Sequence, residues 1–455
     1  MHRILLGLAT CLVAADSASA AEPKNVLLLI ADDLGFQMGC YRDPVARTPN
    51  LDALAATGTR FTHAFACAAS CSPSRSTILT GLPTHQSGQY GLAHGTHNVN
   101  TMPKVQSLPG LLQPAGVFSA AIAKLHVVPK EVYPFTAAVG AGNGRNPVAL
   151  ADQFQAMLTQ TGDKPFFMLV GFIDPHRSAK GFGNELKFPA GTSAYRPDPA
   201  TIPLPYHLPD QPEVRAELVE YHQAVSRLDD AVGRILNALK TSGKAESTLV
   251  IFVSDNGIPF PGAKTTLYDA GLHLPMIVRK PGQQASVTSA MVSWTDLAPT
   301  MLDWFGMAKP NGLLGRSVLP ILNEPNPKGW DEVYGSHQFH EVTMYYPMRM
   351  IRTRTHKLIA NLAHGLDYPH ASDLWDSPTT QGILRRNDDK LGERLWSRYV
   401  KRPKFELYDL VADPNELRNL ADVPEHQAKR ADLSQRLLAH RKVTADPWLI
   451  KEKHE

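Results

Sequence analysis

Several stretches of this chain are apolar runs of strand length that stop abruptly at a small cluster of polar residues. Asn25 to Ile30 is such a run, as a strand buried on both faces requires, and it ends in Ala31-Asp32-Asp33-Leu34-Gly35. Phe118 to Ala123 stops at Lys124-Leu125-His126, Phe166 to Ile173 at Asp174-Pro175-His176-Arg177, and Thr248 to Val253 at Ser254-Asp255-Asn256-Gly257. A further strand is predicted near Phe61 to Phe65. Helical patterns lie between these runs: an entry at Thr48 to Leu54, a segment from Ser107 to Ala115, and a long amphipathic stretch from Glu213 to Leu239. Strands alternating with helices predict an α/β fold with a large central sheet. Polar residues collected at several strand ends predict one shared site, because such sheets bind ligands beyond the carboxyl ends of their strands.

The pattern changes along the chain. Pro, Gly and Tyr in residues 178 to 212 predict an extended surface loop beside that site. From about His340, Met348 to Asn361 alternates basic and apolar residues (Arg349, Arg352, Arg354, Lys357), predicting a strand or hairpin with one solvated face. Glu406 to Leu410 and a terminal helix near Gln427 to Arg441 follow. We therefore expect a domain over 21–340 and a smaller α+β domain over 341–455.

Composition narrows the class. At 455 residues, 43% hydrophobic and 20% charged, the chain is globular and larger than one ordinary domain. A formal charge of +3 is too small for a nucleic-acid binder. Residues 1–20 read as a secretory signal peptide: Arg3 opens it, Ile4 to Ala15 are mostly apolar, and Ala18-Ser19-Ala20 resembles a cleavage site. The mature protein is expected to be periplasmic or secreted. Removing the signal leaves Cys40, Cys67 and Cys71, an odd number that leaves at least one thiol unpaired in an oxidising compartment.

The polar stretch Ser70-Cys71-Ser72-Pro73-Ser74-Arg75-Ser76-Thr77-Ile78-Leu79-Thr80-Gly81 carries the candidate chemistry. Pro73 suits a first helical turn and Ser72 an N-cap, which puts Cys71 at the positive end of a helix with Arg75 able to turn back toward it. Alone, Asp32 and Asp33 read equally well as caps of a following helix. Lys124 and His126 share one side of an extended segment and form either an anion site or a solvated edge. Histidines 85, 94 and 97 follow no tight metal-ligand spacing and are expected to be exposed loop residues.

Assembled, these residues resemble the type I sulfatases of the alkaline-phosphatase-like superfamily. The specific match is Cys71-Ser72-Pro73-Ser74-Arg75 with Leu79-Thr80-Gly81, the signature at which that family oxidises cysteine to formylglycine. Within the family the chain is most similar to the sulfamidases, through Ser70 to Leu82, Lys124 to Val127, Asp174 to Arg177, Ser254 to Pro261 and His340-Glu341-Val342-Thr343-Met344. The resemblance implies a large mixed sheet flanked by helices. It also implies one calcium ion, or magnesium in its place, held with residue 71 by Asp32, Asp33, Asp255 and Asn256, whose oxygen donors suit a hard cation.

In the implied reaction a hydroxyl of hydrated formylglycine at 71 attacks sulfur, and His176 protonates the leaving group. The second hydroxyl lets the aldehyde re-form and expel sulfate while His126 takes its proton, and Arg75, Lys124 and Lys264 neutralise the sulfuryl oxygens. At 264 this chain has lysine where the sulfamidases carry arginine, so the bidentate fork is lost. His340 and Glu341 are candidates for sugar contact or for a structural turn. The implied partners are a sulfated amino sugar or glycosaminoglycan chain end, a formylglycine-generating enzyme, and a second copy in a homodimer. Three readings compete: a carbohydrate O-sulfatase, a glycan-binding homologue in which Cys71 stays a thiol, and a phosphohydrolase of the same fold.

Overall fold

The computed structural model describes residues 24–450 apart from 141 and 143; the expected signal peptide at 1–20 lies outside them. Among the described residues no helix is long and apolar enough to cross a membrane. The eight strands of the main sheet are β1 (Asn25–Ala31), β2 (Thr59–Phe65), β3 (Phe118–Ala123), β4 (Ala137–Val139), β5 (Phe166–Gly171), β6 (Thr248–Ser254), β7 (His273–Arg279) and β8 (Ser286–Ser293). Their spatial order is β4-β3-β5-β1-β6-β7-β2-β8. Every neighbouring pair is parallel except those made by β7, which runs against both β6 and β2.

This topology positions the site. β1 lies between β5 and β6 with Ile30 opposite both Gly171 and Val253, so three strands end level with one another. β3 pairs with β5 through Ala123 and Gly171, bringing a fourth end to the same edge. β1, β3, β5 and β6 are buried along their whole length, which explains their continuous apolar runs. The long helix, Pro212–Thr241, covers one face of the sheet and presents Tyr221 and Arg227 to the segments beyond the strand ends. The segment expected as one helix from Ser107 is two short pieces, Leu108–Leu112 and Gln113–Ala115, broken where Pro114 cannot donate a backbone hydrogen bond.

The second sheet is antiparallel, β14-β11-β10-β9, built from β9 (Glu332–His337), β10 (Met348–Thr353), β11 (His356–Asn361) and, after a two-residue ladder of β12 (Lys390–Leu391) and β13 (Arg394–Leu395), β14 (Phe405–Asp409). It therefore takes its first strand from before residue 340. Met348, Met350 and Ile359 join the core formed with β7 and β8, whereas Ile351, Leu358 and Leu407 pack on Leu433 and Leu437 of the terminal helix Gln427–Val443. The expected solvated face of the β10–β11 hairpin is thus absent. Arg349, Arg352 and Lys357 are buried because each has a partner, and only Arg354, at the turn, stays partly exposed: Arg349 makes a bidentate pair with Asp446 at 2.8 Å, and the Lys357 ammonium lies 2.5 Å from both Asp269 and Glu416.

Candidate active site

The nucleophile helix spans Cys71–Thr80 and is buried at every residue. Its N-cap is Ser70, in extended conformation, and not Ser72 as the sequence suggested. Ser72 instead accepts a hydrogen bond from the Ala93 amide at 3.1 Å, while the Ser70 hydroxyl meets His340 Nδ1 at 2.7 Å. Gly81, at φ 71°, closes the helix in a left-handed conformation that favours glycine. Cys71 is consequently the first helical residue, 1% exposed, at the floor of a cavity of about 630 Å³.

The strand ends surround it. Asp32 follows β1 and receives the Lys124 ammonium; Asp33, at φ 66°, follows with its amide donating to Asp255 Oδ1 at 3.1 Å. A non-glycine residue in that region is strained, and here two anchoring bonds hold it. Asn256 Nδ2 donates to Asp33 Oδ1 at 2.6 Å. Arg75 turns back as expected, its Nε donating to Asp255 Oδ2 at 2.8 Å and its Nη1 to the Lys124 carbonyl at 2.7 Å. Lys264 reaches Asp33 at 3.1 Å, Asp373 at 2.8 Å and His176 Nε2 at 3.2 Å. All candidate catalytic and metal-ligating residues except His126 therefore join one contact network or border it. His126 lines the cavity beside Lys124, after a turn in which Ala123 and His126 are both left-handed, and its ring meets His94.

Electrostatics set the protonation of the cup. Asp32, Asp33, Asp255 and Asp373 face Arg75, Lys124 and Lys264, so the cup carries one negative charge in excess when all four carboxylates are ionised. Burial opposes ionisation of Asp32, yet the Lys124 and Arg75 cations hold it well below the usual carboxylate range. Burial and the Asp32 charge push Asp255 up to about 7. Burial also keeps the Cys71 thiol well above its ordinary value despite Lys124. His176 is held neutral by burial and by Lys264; its Nδ1 donates to the Arg177 carbonyl at 2.6 Å and its Nε2, at the cavity wall, accepts from the Lys264 ammonium at 3.2 Å.

The donor set fits a hard divalent cation. The carboxylates of Asp32 and Asp33 converge with Cys71 and the His176 ring, all ligand atoms within 4.8 Å of one another, and Asp255 and Asn256 are tied to Asp33; the hard donors of the group are these oxygens, not the sulfur or the ring nitrogen. Asp32 Oδ1 and Asn256 Oδ1 are buried without hydrogen-bond partners, which is costly unless a cation takes them.

Two residues were not legible as site residues. Asp373 comes from a short helix, Ser372–Trp375, and only its contact with Lys264, 109 positions earlier, reveals it. His94 is exposed as expected but also lines the cavity, as does His97, which is partly buried and not exposed as expected. His85, expected on the surface, is buried between Ser336 (2.9 Å) and Thr444 (2.8 Å), so it is a core histidine with both ring nitrogens satisfied. His340 and Glu341 both line the cavity, and Glu341 accepts bonds from the Ser372 amide and hydroxyl.

The backbone beneath the site leaves no slack. A Cβ added at Gly171 would lie 1.8 Å from the Lys124 carbonyl oxygen and 2.7 Å from Arg75 Nη1. Gly171→Ala is expected to cost about 1–3 kcal/mol or more in a denaturant melt and to weaken turnover by displacing the carbonyl that holds Arg75.

An α/β sheet with acidic, amide and cationic side chains gathered at its strand ends around a buried cysteine defines the class: the chain belongs to the sulfatase family, whose model matches residues 24–307. A second model, for the C-terminal part of N-sulphoglucosamine sulphohydrolase, matches residues 263–382. Human N-sulphoglucosamine sulphohydrolase is 40% identical, over 94% of this chain and 92% of its own length. An ulvan-active sulfatase of Formosa agariphila is 27% identical over 94% of this chain and 75% of its own. Among solved structures, an enzyme in complex with its substrate D-glucosamine-2-N,6-O-disulfate superposes with a TM-score of 0.69 at 22% identity, covering 93% of this chain and 98% of that one. A phosphonate monoester hydrolase from Silicibacter pomeroyi reaches 0.71 at 19% identity, covering 93% and 96%. These two structures speak to the fold alone.

Proposed function

We propose that this chain is a sulfamidase, hydrolysing the N-sulfate of glucosamine N-sulfate or of a glycosaminoglycan chain end that carries it. The observation that carries the reading is the convergence of Arg75, Lys124 and Lys264 with the oxygen cluster of Asp32, Asp33, Asp255 and Asn256 at residue 71. The match to the sulphoglucosamine-specific C-terminal region and the 40% identity to the human relative support the substrate class. Export, read from residues 1–20, belongs to the same proposal.

Asp32, Asp33, Asp255, Asn256 and residue 71 would hold a calcium ion, or magnesium in its place. When bound, the ion polarises a sulfuryl oxygen and offsets the excess negative charge. Oxidation of Cys71 to formylglycine by a formylglycine-generating enzyme would supply a hydrated aldehyde as nucleophile. A buried, neutral thiol would serve that role poorly.

The other steps fall to the chain's own side chains. Lys124 and Lys264, each shared with a carboxylate, orient the anionic group over residue 71, while Arg75 locks Asp255 and the Lys124 carbonyl in place. His176 stands over the cavity with Nε2 facing in, and acts as the leaving-group acid once that nitrogen carries a proton. His126 takes the proton released at residue 71. Glu341, fixed by Ser372, stands on the cavity wall where a sugar hydroxyl would approach.

Two measurements test the reading. Matured protein should release sulfate and free amine from glucosamine N-sulfate, and leave glucosamine 6-O-sulfate largely intact; the reverse preference makes it an O-sulfatase. His176→Gln should lower kcat on the sulfamate by roughly 10²–10⁴. The same variant should lose much less on an aryl sulfate whose phenolate leaves unprotonated; equal losses would remove His176 as the acid.

A further inference from the structure

The outstanding feature of the cavity is a histidine pair. His94 Nδ1 lies 2.5 Å from His126 Nε2, with ring centroids 4.6 Å apart and tilted by 33°. The other nitrogen of His126, Nδ1, is buried without a partner. His94 is thus the one hydrogen-bond partner of the His126 ring among the described residues, and it is exposed where His126 is not. The Leu92–Asn100 loop holding His94 is tied down: Leu92 N bonds the His340 carbonyl, the Val99 amide returns to Leu92, and the ring of His97 packs edge-on against His94 at 5.8 Å.

We infer that His94 is the outlet for the proton that His126 takes from residue 71. The inference rests on the reading of His126 as base. His126 stands beside Lys124 and near Arg75, with Asp32 the nearest carboxylate, so a second positive charge there is strongly disfavoured. A proton gained on His126 therefore has to leave promptly. It moves from His126 Nε2 to the lone pair on His94 Nδ1, and His94 releases its Nε2 proton to water. The proton enters at the unpartnered His126 Nδ1, so one proton crosses from cavity to solvent and each ring begins and ends neutral; both finish in the opposite tautomer and re-equilibrate with solvent before the next turnover. The groups facing His94 are Lys124, His97, His176, His126 and Glu341; partial burial first, and then the Lys124 charge, disfavour a lasting charge on it, while Glu341 favours one. His94 is a positioning and relay residue that acts through His126.

The test uses matured enzyme carrying His94→Gln, which keeps a hydrogen-bonding side chain but cannot pass a proton, together with His94→Ala. Both should lower kcat by about tenfold with KM within about twofold, and added imidazole should restore the alanine variant. In His94→Ala the neutral acceptor of the His126 Nε2 proton is gone, so the affinity of His126 for a proton falls and the acid limb of the kcat profile should move to lower pH. In unmatured protein, with cysteine still at 71, the His126 ring nitrogen resonances should shift in His94→Gln. Unchanged kcat and pH profile overturn the relay, as do unchanged resonances. A raised KM at unchanged kcat makes His94 a sugar contact, and an unrescued loss with a lowered Tm makes it structural; either overturns the inference. Retained turnover in His126→Gln would instead show that the reading of His126 itself is what failed.

Discussion

Replacing Cys71 by alanine is expected to lower sulfate release by at least roughly 10⁴-fold while the protein keeps its fold. Three observations set that size. Residue 71 begins a wholly buried helix, no other cysteine lines the cavity among the described residues, and the Lys124 and Lys264 charges act on it while Arg75 braces the Lys124 carbonyl. The stability cost is small by comparison, about 1 kcal/mol, because a single sulfur atom is removed from a site with room for one group more. Cys71→Ser separates nucleophile from mere bulk: one hydroxyl can attack sulfur but leaves no second hydroxyl to expel sulfate. The serine variant should therefore turn over once and stop, with sulfate retained on the protein. Full activity in the alanine variant would end the nucleophile assignment.

The second large effect lies in the oxygen cluster. The Asp33 carboxylate holds Asn256 and Lys264, so Asp33→Ala removes one ligand and unseats two neighbours, while the backbone amide at 33 keeps its bond to Asp255. We expect turnover to fall by roughly 10³-fold and the protein to lose its thermal response to calcium. In the unaltered protein a chelator should lower Tm and calcium should restore it. An ion that binds only the folded state at 100 times its Kd contributes about 2.7 kcal/mol. A chelator-insensitive Tm together with undiminished activity would remove the cation from the account. Removing Lys264's partner also leaves a buried ammonium short of charge, which adds to the loss in Asp33→Ala whether or not an ion is present. For that reason the calcium response, and not the stability of the variant alone, is the informative readout.

Much of the site was legible because the sheet obeys simple rules. Buried parallel strands demand unbroken apolar runs, and such runs can end only where the chain leaves the core, so the polar groups at Asp32, Lys124, Asp174 and Asp255 mark one edge in the sequence itself. Charges that find partners far along the chain were not legible. Arg349 and Lys357 look like a solvated face in sequence, yet Asp446 lies 97 positions from Arg349, and Asp269 and Glu416 are equally remote from local pattern. Asp373 is hidden for the same reason. The N-cap at Ser70 was misplaced by two residues because proline tolerates any position in the first turn, and the serine that fits a cap by type was occupied elsewhere, bonding Ala93.

The account rests on residue 71 no longer being a thiol in working enzyme. Tandem mass spectrometry of the peptide spanning Ser70 to Arg75, taken from a preparation that turns over glucosamine N-sulfate, addresses this directly. The predicted peptide has lost sulfur and two hydrogens and gained one oxygen, as formylglycine requires. An intact cysteine at 71 in that same active preparation would contradict the account.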